Sequence, residues 1–454
     1  MALGKTVKKQ SQKLDMTKGS IPKLMIQFAI PLLIGNLFQQ MYNMVDSIVV
    51  GNFNGYQALS AVGTSWTPTM ILMAMFLGIG TGATIMVSQF VGAGDLDRVR
   101  STVHTATAFI FIVSLPVTIL GIIFSPYILN FMNVPPDVYD MSYQYIAILF
   151  IGTIANLGYN MNSGVLRGMG DSRAPLIFLV LSSVVNIVLD LLFVAVFRWG
   201  VAGVGIATVV AQFTAWGYSI VFIRRHYPEL EMPAFTLKVD LKLLKEMTRL
   251  GLPIGFNNAI FAFGFLFLQS LMNQQGSAFM AGTTAASRVD NITSLPLVSF
   301  GTAATTFAGQ NAGARRMDRL RKGLGVAILL TMICNQVLMV PLLSVGKYAL
   351  MLFNQEPAVL EVGYRCMWWI LPWYWLFILY HMFNAYMNGA GEVRVPTISS
   401  LLMFWAVRLP AAYYFAAAFG AEYIYACYPV SWAAGALISG LYYATGRWKN
   451  RYLR

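Results

Sequence analysis

Two aspartates set inside apolar stretches, Asp46 and Asp190, are the residues best placed to do chemistry. Leading up to Asp46, the residues Gly35, Gln39, Tyr42 and Asn43 follow one another at spacings of 4, 3, 1 and 3, which puts them on one helical face. Leu37, Met41 and Met44 leave the other directions apolar. Ser183, Asn186 and Asp190 repeat the device at spacings of 3 and 4, and Thr208 with Gln212 continues it at 4. An ionised side chain in hydrocarbon costs about 2.5–3.5 kcal/mol on insertion scales, so these groups must face a cavity or a partner. Carboxylate, amide and hydroxyl oxygens together suit a hard cation such as sodium, whose water shell they replace. Two acids brought close suit a proton equally well, because like-charge repulsion disfavours two ionised carboxylates side by side. The blander reading is that both aspartates serve structural hydrogen bonds.

Three further charges fall within apolar blocks: Arg288, Asp290 and Arg408. A separation of two does not put Arg288 and Asp290 on one helical face, so no direct bridge between them is implied. Either arginine can pair with Asp290 structurally or receive an anionic group in a substrate cavity. Trp368, Trp369, Trp373, Tyr374 and Trp375 read as an interfacial aromatic belt, with a π-lined wall for an organic cation as the sharper alternative. His381, Asn384 and Asn388 form another polar stripe, of the kind that bonds helix to helix.

These residues are positioned by long apolar blocks. The chain has 454 residues, 57% hydrophobic and 11% charged, with mean hydropathy +0.63. A soluble domain carries about 25% charge, so the composition describes an integral membrane protein. Blocks long enough to cross a ~30 Å hydrocarbon core lie at 24–50, 57–88, 102–124, 140–166, 175–197, 201–223, 249–275, 278–310, 323–345, 360–388, 395–417 and 423–446. The expected fold is therefore all-α, with twelve transmembrane helices. With the N-terminus inside, 26 of the 31 Lys and Arg fall on the cytoplasmic side. The positive-inside rule then puts both termini in the cytoplasm of a multi-pass protein of the cell membrane. Residues 1–23 read as an N-terminal tail, since Met1 to Lys23 lacks the apolar core of a signal peptide. Residues 224–248 read as a cytoplasmic linker and 447–454 as a C-terminal tail.

The two halves repeat one another. Gly80-Thr81-Gly82-Ala83-Thr84, Gln89, Gly92-Ala93 and Asp97-Arg98 recur 221 residues later as Gly301-Thr302-Ala303-Ala304-Thr305, Gln310, Gly313-Ala314 and Asp318-Arg319. The same shift carries Gly168-Met169-Gly170-Asp171 onto Gly389-Ala390-Gly391-Glu392. Six spans per copy is an even number, so both copies enter the membrane in the same direction. They form two six-helix lobes, 24–223 and 249–446, related by a pseudo-two-fold along the membrane normal. Two bundles facing a central cavity make an alternating-access architecture.

Other classes lack their residues. The net charge of +13 sits in short clusters between spans, with no basic, aromatic-interleaved domain for nucleic acid. No GxxxxGK[ST] loop cradles ATP phosphates and no HExxH metal motif occurs, which leaves an ion gradient as the energy source and no enzymatic constellation. Asp95-Leu96-Asp97 is loop charge, and Cys334, Cys366 and Cys427 are too scattered for a disulfide framework.

Taken in order, Pro31 through Tyr42-Asn43-Met44-Val45-Asp46, the Gln89–Gly94 loop, Tyr159-Asn160, Leu166-Arg167-Gly168-Met169-Gly170-Asp171-Ser172-Arg173-Ala174-Pro175 and Asn186 through Asp190 resemble the multidrug and toxic compound extrusion (MATE) transporters. The resemblance covers nearly the whole chain. It implies export of organic, mostly cationic, compounds in exchange for protons or sodium, with no cofactor beyond that ion, by a monomer working among membrane lipids. Its cation site falls on Asp46, Asn160, Asn186, Asp190 and Thr208, of which Asn160 is reached only through the resemblance. A bound sodium would take Asp46, Asp190, Asn186 and Thr208. Gln39 and Tyr42 match cavity-lining positions, to which Asn43, Arg288 and Arg408 are added from the reading of buried polar residues. The second-lobe acid pair of some members is absent: Gly251–Gln275 and Trp368–Asn388 contain no Asp or Glu. Alternatives are a lipid-linked saccharide or polyisoprenoid flippase of the same superfamily, which needs a basic cavity for phosphate, and a non-transporting scaffold or sensor.

Overall fold

The computed structural model describes residues 13–132, 134–233, 235–351 and 355–450. Among them the secondary structure is helical throughout, and twelve long segments cross the molecule. The run Ile21–Ala93 is two helices, α1 and α2, joined at Gly55, whose φ of 81° no ordinary helix position takes. There follow α3 (Leu96–Phe131), α4 (Pro136–Ile151 and Thr153–Gly168, bent by 52°), α5 (Arg173–Val196) and α6 (Gly200–His226). The second half runs α7 (Leu241–Asn273), α8 (Ser277–Thr293 and Leu295–Gly313), α9 (Met317–Ser344), α10 (Pro357–Ile370 and Tyr374–Gly389), α11 (Arg394–Phe419) and α12 (Ala421–Thr445).

The helices run past the apolar blocks that mark them. α6 continues to His226 and α7 starts at Leu241, so the join between the halves is shorter than 224–248. α3 likewise reaches from Leu96 to Phe131. A helix satisfies its own backbone hydrogen bonds, so it continues into the polar interface where hydropathy no longer reports it. The tail assigned to 1–23 also changes character: residues 1–12 lie outside the described residues, but 13–19 fold onto the protein and α1 begins at Ile21. Beyond α12, Trp448 is buried on a 3₁₀ turn, and 451–454 lie outside the described residues.

Each half has its own apolar core, one built on Val103, Ile146, Phe150, Leu166 and Phe178, the other on Leu271, Met367, Phe404, Tyr425 and Trp432. A third cluster joins Met16, Met25 and Phe28 to Phe300, Phe307 and Met382, so the start of α1 packs into the second half. The halves meet through glycine. A side chain at Gly78 or Gly82 of α2 would collide with the backbone of Gly255, Gly251 or Met247 of α7. Gly92 lies against the Gln310 carbonyl, and its repeat partner Gly313 against that of Gln89. The same pseudo-symmetry governs the hydrogen bonds, since Gln89 Nε2 donates to Gly389 O at 2.8 Å and Gln310 Nε2 to Gly168 O at 2.9 Å.

Residues 13–19 lie across this seam as a strap. Leu14 N donates to Gly170 O at 3.1 Å in the first half, while Met16 N donates to Gln310 Oε1 at 3.0 Å in the second. Asn311 and Arg319 donate to Met16 O at 3.0 and 3.1 Å, and the Met16 side chain is fully buried. At the far face Lys347 and Arg365 pair with Glu361 at 3.5 and 3.0 Å, and Arg365 also with Glu422.

Candidate functional site

The first-half acids converge. Asp46 on α1 is 8% exposed, Asp190 and Asn186 on α5 are fully buried, and Thr208 on α6 is 7% exposed. The carboxyls of Asp46 and Asp190 are neighbours, and Tyr42 lies beside Asp46. Asn186 stands between them. With its amide nitrogen turned inward, it donates to Asp46 Oδ1 at 3.0 Å and Asp190 Oδ2 at 2.9 Å while its oxygen accepts from Thr208 N at 3.3 Å. Turned the other way, its oxygen joins the two carboxylates and its nitrogen faces Thr208 Oγ1 at 3.5 Å. The first orientation suits a site holding a proton, because three acceptor oxygens otherwise oppose one another. The second suits a cation, around which those three oxygens would be ligands.

Local sequence builds this geometry. Regular α-helix in α5 ends at Asp190, and a π-helical turn, Leu191–Val196, follows immediately; such turns re-aim side chains and recur at functional sites. On α6, Gly205 has no side chain to hold α4 away, and a Cβ there would lie 3.0 Å from Ile148 and 3.3 Å from Tyr145. Tyr145 thereby comes to lie beside Thr208 and the two carboxyls.

Asp190 Oδ1 is buried with no hydrogen-bond partner among the described residues. A buried orphan acceptor beside a second carboxyl is the feature a proton or a monovalent cation would satisfy. The donor set fits that occupant and no transition metal: no group of three or more His, Cys, Asp or Glu able to hold a metal occurs among the described residues.

The remaining sequence candidates divide. Gln39 and Asn43 are exposed on α1 and Tyr42 is half-buried, on the helix that carries Asp46. Asn160 donates to Asn156 O and Oδ1 at 2.9 and 3.2 Å, so its amide is engaged within α4 rather than with the carboxyl pair. Arg288 is exposed on α8 and has no ion-pair partner among the described residues. The placement of Arg408 in a substrate cavity is corrected. Its side chain is 4% exposed, bonds Ser431 Oγ at 3.0 Å and stacks on Tyr428, Phe404 and Trp432 at 4.7, 5.1 and 5.9 Å. Aromatic faces hold the guanidinium by cation–π attraction inside the lobe. Asp290 feels that cation and accepts from Tyr374 Oη at 2.7 Å and Thr293 Oγ1 at 3.2 Å. Of the aromatic cluster, Trp368, Trp373 and Trp375 face outward as a belt, and Tyr374 turns inward to that acid.

Sequence reasoning did not reach Tyr145, the strap, or the bond from Asn36 Nδ2 on α1 to Ser299 Oγ on α8 at 3.1 Å. The matching glutamines were visible as repeat partners, but their role across the seam was not.

Comparison with known proteins places this geometry. The MatE family matches the chain twice, over 31–192 and again over 253–414. The chain belongs to the MatE family. The two matches begin 222 residues apart, at 31 and 253, so the repeat extends over all but the last helix of each half. Relatives include the probable multidrug resistance proteins YoeA and YpnP of Bacillus subtilis, 30% and 29% identical, aligned over 96% of this chain and 96% and 97% of theirs. Among solved structures, an outward-facing multidrug resistance MATE family transporter superposes with TM-score 0.87 at 22% identity, covering 96% of this chain and 98% of that one. The twelve-helix, two-lobe fold is thus that of MATE transporters, and family membership makes this protein a multi-pass membrane transporter rather than an enzyme.

Proposed function

We propose that this MatE protein is a secondary active antiporter that exports organic, mostly cationic, compounds in exchange for protons or sodium. The observation carrying the reading is the buried Asp46–Asn186–Asp190 cluster with its orphaned Asp190 Oδ1. A proton or sodium ion entering the cluster neutralises the carboxyls and draws α1 toward α5 and α6. With the site empty, an organic cation approaching along Gln39, Tyr42 and Asn43 meets an uncompensated carboxylate. One site that accepts either cation, but not both together, is what exchange requires. Asn160 and Arg288 are proposed as outlying members of the binding surface.

Alternating access follows from the duplicated lobes. The lobes, proposed as 24–223 and 249–446 about the 224–248 join, meet at the glycine seam beneath the strap. The seam face carries most of the basic residues, and we assign it with both termini to the cytoplasm, so the closed seam corresponds to an outward-facing state. The flippase reading loses weight because Arg408 lies behind aromatic rings.

The test is efflux of a fluorescent organic cation from proteoliposomes, with sodium and pH gradients imposed separately. Wild type should respond to one of the gradients, and Asp46→Asn and Asp190→Asn should each abolish the gradient-driven component while remaining folded. Gradient-driven efflux that survives both substitutions would overturn the assignment.

A further inference from the structure

The duplicated fold contains a matching pair of grooves, and only the first has the N-terminal strap in its wall among the described residues. In the first lobe, a groove of about 310 Å³ between the start of α1 and the start of α5 includes Gln27 and Arg173, and the strap lines it through Lys13 and Leu14. The repeat displacements of 222 and 221 residues carry Gln27 onto Arg249 and Arg173 onto Arg394. Those two residues, with Lys245, line the second-lobe groove between α7 and α11, a cavity of about 530 Å³.

Among the described residues no equivalent strap lines the second groove. The segment preceding α7 is held on the first lobe: Arg224 Nε donates to Met232 O at 2.9 Å, and Arg100 Nε donates to Glu229 O at 3.1 Å. Arg100 also pairs with Glu231 at 3.3 Å, and Asp240 N donates to Thr105 Oγ1 at 3.3 Å. Both grooves carry cations, Lys13 and Arg173 in the first and Lys245, Arg249 and Arg394 in the second, where Arg249 stands in place of Gln27. Arg249 is paired with Glu246 at 3.2 Å, whereas Lys245 and Arg394 are exposed and form no ion pair among the described residues.

The crevice changes character along its length. Beyond the basic mouth, about 10 Å further along α7 at ~1.5 Å per residue, lies a wholly apolar groove between the same two helices. It has a volume of about 620 Å³ and is walled by Phe263 and Phe267 of α7 and Leu402 and Trp405 of α11. A cationic groove followed along the same two helices by an apolar one has the chemistry of one amphiphile. We propose that this α7–α11 crevice binds an anionic phospholipid, its phosphate held by Lys245, Arg249 and Arg394 and an acyl chain laid against Phe263 and Trp405.

The same helix α7 carries Gly251 and Gly255, which pack against α2 across the seam. The lipid therefore fastens to the second lobe the helix on which the lobes close. The inference rests on the proposed cytoplasmic placement of this face but not on transport, so its test reads binding alone.

The full-length protein in detergent is titrated with phosphatidylglycerol, phosphatidylcholine or inorganic phosphate, and bound lipid is counted by native mass spectrometry. One phosphatidylglycerol should bind in preference to phosphatidylcholine. A basic residue near an anionic head group contributes roughly fivefold in affinity, so Lys245→Gln/Arg394→Gln should weaken that binding roughly 30-fold. Lys322→Gln, another exposed cytoplasmic cation, should not. If the double variant is unstable, each single variant should lose about fivefold. Trp405→Ala should weaken phosphatidylglycerol without restoring phosphatidylcholine. Equal phosphatidylglycerol binding by wild type and the double variant would overturn the proposal, as would equal loss in Lys322→Gln or full displacement of the lipid by inorganic phosphate.

Discussion

Gln310→Ala tests the seam most directly. The side chain is 1% exposed and spans the interface, donating to Gly168 O at 2.9 Å and accepting from Met16 N at 3.0 Å. The bond to Gly168 O joins the lobes and must break when the seam opens, whereas Met16 is packed on the second half and its bond travels with that half. The bond that breaks contributes a net ~1 kcal/mol, and 1.4 kcal/mol is a factor of about ten. The ratio of seam-open to seam-closed protein should therefore rise about fivefold, since the substitution penalises only the closed state. The readout is the labelling rate of a cysteine at Ser88, which is buried at the seam against Gly309, by a membrane-impermeant thiol reagent in a variant lacking Cys334, Cys366 and Cys427. Gln89→Ala, which removes the matching bond to Gly389 O, should shift the rate in the same direction. Gln269→Ala should not, since that side chain bonds Asn273 within α7 at 2.8 Å. A Gln310→Ala protein that folds normally yet labels within twofold of its parent would refute the view that these bonds hold the seam.

Several other outcomes are expected. Asn186→Leu keeps the volume but leaves two buried carboxyls without their shared donor, so ion-coupled efflux should fall at least tenfold while the unfolding temperature drops by only a few degrees. Arg408→Ala removes a buried cation, its ring contacts and its bond to Ser431, and should cost about 3–5 kcal/mol in a chemical unfolding titration. Combined with Asp290→Asn, which removes the acid left uncompensated, the loss should be smaller than the sum of the two single changes. Gly255→Val places a side chain against the α2 backbone, so the seam should stay ajar and Ser88→Cys should label faster in that background.

Much of the fold was legible because a membrane makes hydropathy and repetition nearly sufficient. Apolar blocks already gave all twelve spans, including 278–310 and 360–388. As continuous helices among the described residues, nine are long and apolar enough to cross, or ten with the bent α4 counted, because α8 and α10 are interrupted at Ser294 and at Leu371–Trp373. The internal repeat agrees with twelve, because each copy supplies the same number of crossings. The Asp46 and Asp190 stripes were legible for a related reason: a polar face inside an apolar helix has to meet something, and helical spacing says which residues share it. Arg408 was open to two readings, a structural partner of Asp290 or a cavity-lining cation, and only its aromatic neighbours, drawn from α11 and α12, show it packed inside the lobe.

The order of residues thus determined the helices, their pairing by repeat and the two faces carrying carboxylates, all of which depend on spacing within a single span. Tertiary structure alone decided that Asp46 and Asp190 are neighbours, that Asn186 stands between them, and that Tyr145 completes the surround. It also decided that Leu14–Met16 cross to the other half while the segment before α7 does not, although both precede equivalent helices. These outcomes depend on contacts between residues separated by about a hundred positions or more. No periodicity within one helix encodes them, and they exist only once glycine has let the backbones meet.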